Sequence, residues 1–379
     1  MKLIIKKNIF FQILMVLTIG TFPIYIFDSG SLQISHMFIL LLLVVLIFKK
    51  NIKIIHGERK FVILLFLFTI FTLLVDTIYT FYDGNYSNLK LSSISIFNLF
   101  IYIVISSYLK KFDKKIIYYG LITSIILIVN YFLFFFDTSF YSPERAKGLF
   151  NNPNQLGYFA ICSYSLLFFF YKALNLNLLF FLIFALVCFF FSLLSLSKAS
   201  ILSYFIILLL NLIILFKFKI KKIFLLLFLL IISIIFINIS QKLELNFYIR
   251  ILNMGNENDG LYGRGYYLLS KISLYDIFKG IGKENLLILN DQKEIHSTLL
   301  NILFRYGLFG LSLFLIILYL WAIRVFKFFG IVGIVNIILP VMIYGLSHNG
   351  FRFSLLWILI STTYCFSIFN SRINKLSHT

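Results

Sequence analysis

Residues 141–158 read Tyr-Ser-Pro-Glu-Arg-Ala-Lys-Gly-Leu-Phe-Asn-Asn-Pro-Asn-Gln-Leu-Gly-Tyr, a polar, basic stretch between two long apolar runs, 116–136 and 156–171. Each run is about long enough to cross a hydrocarbon core of roughly 30 Å as helix. The stretch between them therefore belongs at a membrane surface. Arg145 and Lys147, set among Gly148, Asn151, Asn152 and Asn154, suit it to holding an anionic group there.

The same alternation runs through the whole chain. Hydrophobic residues make up 61% of it and the mean hydropathy is +0.99, against an apolar share of about 45–50% in soluble domains. That excludes a soluble globular protein. Spans are predicted near 8–27, 33–48, 61–80, 92–108, 116–136, 156–171, 178–196, 200–216, 223–240, 298–318, 330–347 and 353–370, about twelve helices. The regular alternation of a membrane β-barrel is absent, so the expectation is an all-α integral membrane protein, one polytopic domain over 1–379. The first run follows Lys2, Lys6 and Lys7, is longer than a secretory signal's apolar region and lacks a small-residue cleavage site, so it reads as a retained span. Cys162, Cys188 and Cys365 fall inside predicted spans without paired or metal-ligand spacing, and read as packing residues.

Orientation follows from the basic residues, which short cytoplasmic loops retain. The clusters Lys49/Lys50/Lys53/Arg59/Lys60, Lys110/Lys111/Lys114/Lys115, Lys217/Lys219/Lys221/Lys222 and Arg324/Lys327 occupy alternate loops. Both termini are expected on that cytoplasmic side. The net charge of +20 is read as this topogenic surplus plus attraction to anionic lipid, with no nucleic-acid partner.

The same count sends 137–155, Ser195–Ser200, 241–297 and Ser347–Arg352 to the outer face. The connection 241–297, between the ninth and tenth predicted spans, far exceeds the usual helix–helix turn of about 2–8 residues. Within it Gly263-Arg264-Gly265 leads into 266–280, where helical spacing of Tyr267/Leu268, Lys271/Ile272 and Tyr275 predicts an amphipathic helix at the interface. Arg264 and Lys271, seven apart, would share a face turned to lipid phosphates or to substrate. Asp76, near the outer end of the third span, is costly in lipid and is expected to face the bundle interior beside a partner that the sequence does not identify.

The order and common side of these pieces resemble the O-antigen polymerase and O-antigen ligase superfamily, over roughly residues 140–320. Arg145-Ala146-Lys147-Gly148 followed by Asn152-Pro153-Asn154 matches the family's Arg, Gly and Asn-Pro-Asn segment entering a span. Ser197-Lys198-Ala199 stands where the family has Ser-Arg-Gly, so Lys replaces the usual Arg. Arg264, Gly280-Ile281-Gly282, His296-Ser297 (Ser where Asn is usual) and the Gly-rich Tyr306-Gly307-Leu308-Phe309-Gly310 complete the series.

The resemblance implies a bacterial inner-membrane glycosyltransferase of O-antigen, lipopolysaccharide or capsule synthesis. Such an enzyme moves a glycan from an undecaprenyl-type polyprenyl diphosphate to the hydroxyl of a lipid-linked acceptor repeat unit at the outer face, with neither metal nor cofactor. A departing diphosphate needs cations, and the acceptor hydroxyl needs a base. Arg145, Lys147, Lys198 and Arg264 are the expected cradle, with Arg250 and Arg305 its weaker members. His296 is the expected base, its neutral imidazole having a reference pKa of about 6.5. Asn154, His348 and Arg352 are expected along the substrate path. Donor, acceptor, membrane lipids, a chain-length regulator and a flippase are the implied partners.

Plainer readings stand beside these. Arg145 and Lys147 also suit interfacial anchors, Asn152 and Pro153 a helix start, His296 part of the cap before Ser297, and His348 with Arg352 an anchoring turn. Polymerase is preferred to ligase on the Phe/Ile/Lys bias of an AT-rich coding region and on the modest loop size. A flippase or transporter, the competing class, is disfavoured by the lack of internal repetition and of mid-span charge. A metal-dependent lipid-linked transferase is disfavoured because the first outer loop offers only Asp28.

The topology has a direct check. A reporter active only outside the membrane should be active when fused after Asn151 or Gly260 and silent after Lys222 or Ser371, and the reverse pattern would remove the site from the outer face.

Overall fold

Apolar runs that must satisfy their own backbone hydrogen bonds in lipid have little choice but helix. In the computed structural model, which describes residues 2–27, 31–52, 54–135, 145–215, 264–290 and 294–376, no strand occurs among the described residues. Asp28, the ninth predicted span 223–240, Arg250 and the loop up to residue 263 lie outside them. The helices are α1 (Lys2–Gly20), α2 (Ile34–Phe48), α3 (Arg59–Asp83), α4 (Leu89–Lys111), α5 (Lys115–Phe134), α6 (Pro153–Ala173), α7 (Leu178–Ser195), α8 (Lys198–Leu215), α9 (Leu274–Lys279), α10 (Gly282–Leu289), α11 (Thr298–Gly333), α12 (Leu339–Ser347) and α13 (Ser354–Leu376). A π-helical turn, Ile334–Ile338, joins α11 to α12.

Among the described residues six stretches, where twelve spans are expected from the whole sequence, are long and apolar enough to cross a membrane: Arg59–Asp83, Tyr86–Lys111, Lys115–Phe134, Pro153–Ala173, Leu178–Ser195 and Thr298–Ser347. Their side chains are sorted as a bilayer requires. Ile63, Phe66, Leu74, Ile78, Leu186, Phe190 and Tyr319 point outward, while Thr69, Thr72, Ser92, Ser95, Asn98, Ser106 and Ser163 are buried. A water-soluble bundle would invert that order. α6 is buried on nearly every side from Leu156 to Phe170, as expected of a helix apolar all round, and with α13 it forms the centre of the bundle.

Of the basic clusters, those at 49–60 and 110–115 gather at one end, while Lys53 and the cluster Lys217/Lys219/Lys221/Lys222 lie outside the described residues. There Lys110 pairs with the fully buried Glu58 at 2.7 Å, Ser106 Oγ donates to the same carboxylate at 3.1 Å, and Lys111 bonds to Asn51. Lys114 sits 4.3 Å over the Phe366 ring and Lys49 4.5 Å over Phe11. The opposite end collects the polar turns between α1 and α2, α3 and α4, α7 and α8, and α12 and α13.

The stretch expected as one amphipathic helix is three pieces. Tyr266–Ser270 is a 3₁₀ turn, and α9 starts only after Ser273, whose hydroxyl accepts from Asp276 N at 3.1 Å and donates to Asp276 Oδ2 at 2.7 Å. This local cap competes with continuation of the helix and wins. Arg264 and Lys271 are thereby separated: Lys271 is exposed and lies 4.8 Å over the Tyr267 ring, whereas Arg264 turns inward. Leu268, Ile272, Ile281 and Leu286 build a small second core with Ile295, Leu300 and Phe304, leaving Leu274, Tyr275 and Phe278 exposed. An interfacial seat suits that exposed apolar face.

Two glycine turns lock these pieces to the bundle. α11 is broken at Gly307, φ 68°, where a Cβ would strike the Phe278 carbonyl, and a Cβ on Gly280, φ 81°, would come within 2.7 Å of Arg305 O and Gly307 N. The backbones touch because neither residue has a side chain. Ile281 N donates to Phe304 O at 2.7 Å, and Tyr79 OH to Gly280 O at 2.7 Å.

Just before the break, Arg305 finds the partner of Asp76. Its Nε and Nη2 donate to Asp76 Oδ1 at 3.0 and 2.9 Å, and Nη2 also bonds Asn88 O. Tyr306 OH and Ser92 N donate to Oδ2 at 3.0 and 3.1 Å. Arg305, expected as a weaker member of the phosphate cradle, is instead committed to this buried carboxylate, because an unpaired Asp76 could not be tolerated there. Asp76→Asn or Arg305→Met alone should destabilise the protein by about 3–5 kcal/mol, with the double variant recovering part of the loss. Unfolding temperatures in detergent measure this, and unchanged single variants would make the pair dispensable.

Candidate functional site

At the polar end a cavity of about 470 Å³ opens between the starts of α2, α4, α6 and α13 and the segment leading into α11. Asn154, His296, His348 and Arg352 all line it. They come from three chain segments far apart in sequence, and the reasons for their convergence are local.

Asn154 is placed by the start of α6. Asn152 is the N-cap, its side chain accepting from Gln155 N at 3.0 Å, while Gln155 Oε1 accepts from Asn151 N at 3.1 Å and Pro153 takes the first helical turn. The capping reading thus holds for Asn152 and Pro153. Asn154 instead accepts from Arg145 Nη2, and Arg145 Nε donates to Ser195 O at 2.9 Å. Gly157 lets the α7–α8 turn approach, since a Cβ there would lie 2.9 Å from Ser195 Oγ and from Ser197 Cβ. Arg145 thus ties the segment before α6 to that turn at the edge of the cavity.

His348 is held by stacking. Tyr158, Tyr344 and His348 form a column with centroids 4.5 and 4.6 Å apart, and His296 meets His348 edge-on at 6.3 Å. Tyr344 OH donates to Asn154 O at 2.5 Å. Thr298 Oγ1 donates to His348 O at 2.8 Å and accepts from Gly350 N at 2.8 Å, joining the first turn of α11 to the turn before α13. Ser297, not His296, caps α11, its hydroxyl accepting from Leu300 N at 3.4 Å. The His296 ring is left exposed to the cavity.

Burial first, and guanidinium groups second, set the electrostatics. Desolvation by the surrounding protein, then Arg264 and Arg352, hold the His296 imidazole below its ordinary value, with Glu294 opposing them. Burial, Arg264, His296 and Arg145 push His348 down much further. Both rings are therefore neutral near pH 7 and keep a lone pair. Arg352 donates to Glu294 at 2.7 Å; burial raises that carboxyl, but Arg352, Lys283 and Lys90 bring it below its ordinary value.

The other expected residues sit apart from the cavity wall. Lys147 is exposed and Lys198, the first residue of α8, is half-buried; neither lines the cavity. Arg264 acts on both imidazoles through space. His36, Lys90, Glu294, Ser354, Tyr158 and Tyr344 line the cavity without having been singled out in the sequence. Only His36 carried a signal, as the residue three after Gln33 that closes a reciprocal cap at the start of α2.

Compared with protein-family models the chain matches none, and it matches no curated protein.

Because His348 is depressed in the folded state, the unfolded chain binds more protons once the pH falls below the free imidazole value of about 6.5. Stability should fall with pH from there toward acid. His348→Phe keeps the stack and removes the titration, so its unfolding temperature should drop less between pH 7 and pH 5 than that of the native chain; equal drops would mean that His348 does not titrate in this way.

Proposed function

We propose that this protein is a polysaccharide polymerase of O-antigen or capsular type, a metal-independent glycosyltransferase of the bacterial inner membrane with its site on the outer face. The observation that carries the reading is one cavity, at the end of a bundle of apolar helices, lined by neutral imidazoles and flanked by Arg145, Arg264 and Arg352. Cations receive an anionic leaving group, and a neutral imidazole receives a proton.

In the proposed reaction the acceptor hydroxyl oxygen attacks the anomeric carbon of the donor glycan. The bond from that carbon to the diphosphate oxygen breaks, and the polyprenyl diphosphate leaves with the electron pair. Arg264 and Arg145 stabilise the charge developing there. His296 takes the hydroxyl proton, its exposure giving the acceptor access, while the more buried His348 orients it. Lys147 and Lys198, off the cavity wall, suit an outer contact with the carrier's headgroup region. The reading takes over the twelve spans and cytoplasmic termini expected from the sequence, under which this end faces outside. Ligase activity on a lipid A core is the alternative with the same donor chemistry. A deletion strain separates the two: single repeat units on the core indicate a polymerase, lipid-linked long chains with a bare core a ligase.

Arg264→Ala should abolish long-chain glycan at normal protein level, since each charge-assisted hydrogen bond lost to the diphosphate is worth roughly 1.5–3 kcal/mol. Arg145→Ala should do the same, with some loss of stability from its bonds to Ser195 and Asn154. His296→Ala should slow turnover about 10²–10⁴-fold with donor binding retained, and His296→Gln should fare little better because an amide accepts no proton. Turnover should persist in excess chelator. Normal chain length in the Arg264 variant, or activity that stops on chelation and returns with magnesium, would overturn the mechanism.

A further inference from the structure

One wall of the cavity is made by α2, α4 and the start of α13, and apart from Arg352 at its edge none of its residues has a part in the proposed donor chemistry. Lys90, Ser93, Ile94 and Phe97, at helical spacing, present one face of α4 to the cavity. The Phe97 ring packs 4.7 Å from that of His36 on α2, and His36 Nε2 lies 2.9 Å from Ser354 Oγ on α13.

The hydrogen bonds fix the direction of that last contact. Gln33 N donates to His36 Nδ1 at 3.1 Å. A neutral ring that accepts at Nδ1 carries its proton on Nε2, so Nε2 donates to Ser354 Oγ. His36 therefore cannot act as a base toward Ser354. It leaves the serine hydroxyl hydrogen, which has no acceptor among the described residues, to be given to a ligand. Ser354 is 3% exposed and lines the cavity, so that hydrogen has only the cavity to turn to.

The polar character of the wall is one-sided. Among the described lining residues Lys90, the Ser354 hydroxyl and Arg352 donate, and the one carboxylate, Glu294, is engaged by Arg352 and lies in the field of Lys90 as well. The starts of α2, α4 and α13 add the partial positive charge of helix N-termini. A neutral sugar, with hydroxyls that donate as well as accept, is served by a mixed set of partners. A set of donors around an aromatic ring fits a sugar bearing a carboxylate, its ring face on Phe97 and its anion on the cations.

We propose that this wall is the subsite for an acidic sugar of the acceptor repeat unit, a uronic acid, whose carboxylate is held by Lys90 and by the Ser354 hydroxyl oriented by His36, with Arg352 beside them. The assignment rests on the glycan-transfer reading for the word acceptor and on the wall alone for the acid.

The test is the unfolding temperature of the purified full chain in detergent, titrated with methyl glucuronide, methyl glucoside and acetate at matched ionic strength. The glucuronide raises it, while the neutral glucoside and the bare carboxylate do so only at far higher concentration. In Lys90→Gln and in Ser354→Ala the half-saturating glucuronide concentration rises about ten- to hundredfold, and Lys90→Arg restores most of the response. Equal responses to glucuronide and glucoside, or to glucuronide and acetate, overturn the proposal, as does a glucuronide response unchanged in both variants. The measurement needs no lipid-linked donor. A chain that binds glucuronide but keeps long glycan after Arg264→Ala loses only the transfer reading, and one that polymerises while ignoring glucuronide loses only this subsite.

Discussion

The carboxylate of Asp76 and the guanidinium of Arg305 meet inside an apolar bundle, with Tyr306 and Ser92 completing the hydrogen bonds of the acid. Neither charge could be carried there alone, so the two helices that bear them, α3 and α11, cannot drift apart without exposing an uncompensated ion. The pair pins the first turns of α11. Gly307 then lets the chain turn away sharply enough for the Gly280 backbone to dock against it. α9, α10 and the short segment that carries Glu294 and His296 over the cavity are held against this fixed part of α11. A site built partly from a long connection is thereby fixed to the rigid part of the molecule.

The opposite side of the cavity is held by different means. Arg145 spends its hydrogen bonds on Ser195 and Asn154, and the stacked rings of Tyr158, Tyr344 and His348 run from α6 through α12 to the turn before α13. Stacking and guanidinium bonding both restrict orientation, so the imidazoles face the cavity in defined poses. The surrounding arginines do two things at once. They supply positive charge for an anionic ligand and, by repelling a proton, add to the burial that chiefly keeps His296 and His348 neutral. Cations and neutral imidazoles thus stand together at one cavity, the arrangement that the proposed transfer from a diphosphate carrier requires.

The hydropathy of the chain made much of this legible in advance. Helical runs bounded by basic clusters were readable because both the need for backbone self-satisfaction in lipid and the retention of Lys and Arg act on neighbouring residues. Gly280 could be marked as a helix breaker and Asn152-Pro153 as a helix start for the same local reason, whereas Gly307, inside the expected span 298–318, stood out only through the resemblance. The break at Ser273 was missed because helical spacing of apolar residues carries no information about a serine that prefers to cap the next helix.

What the sequence by itself determined, then, is the class: apolar helices, polar and cationic turns, and a set of residues capable of anion binding and proton transfer. The tertiary structure alone decided which of them meet. Arg305 answers Asp76 across 229 positions, and His36 answers Ser354 across 318. Arg264 parts from Lys271 although the two are only seven apart. Lys90 and Glu294, unremarkable in their own segments, share a cavity wall with His296. Local composition fixes the state of each segment because lipid and backbone act residue by residue, whereas partners are chosen by packing and by the cost of leaving a buried charge or donor unmatched, a condition set by the whole bundle.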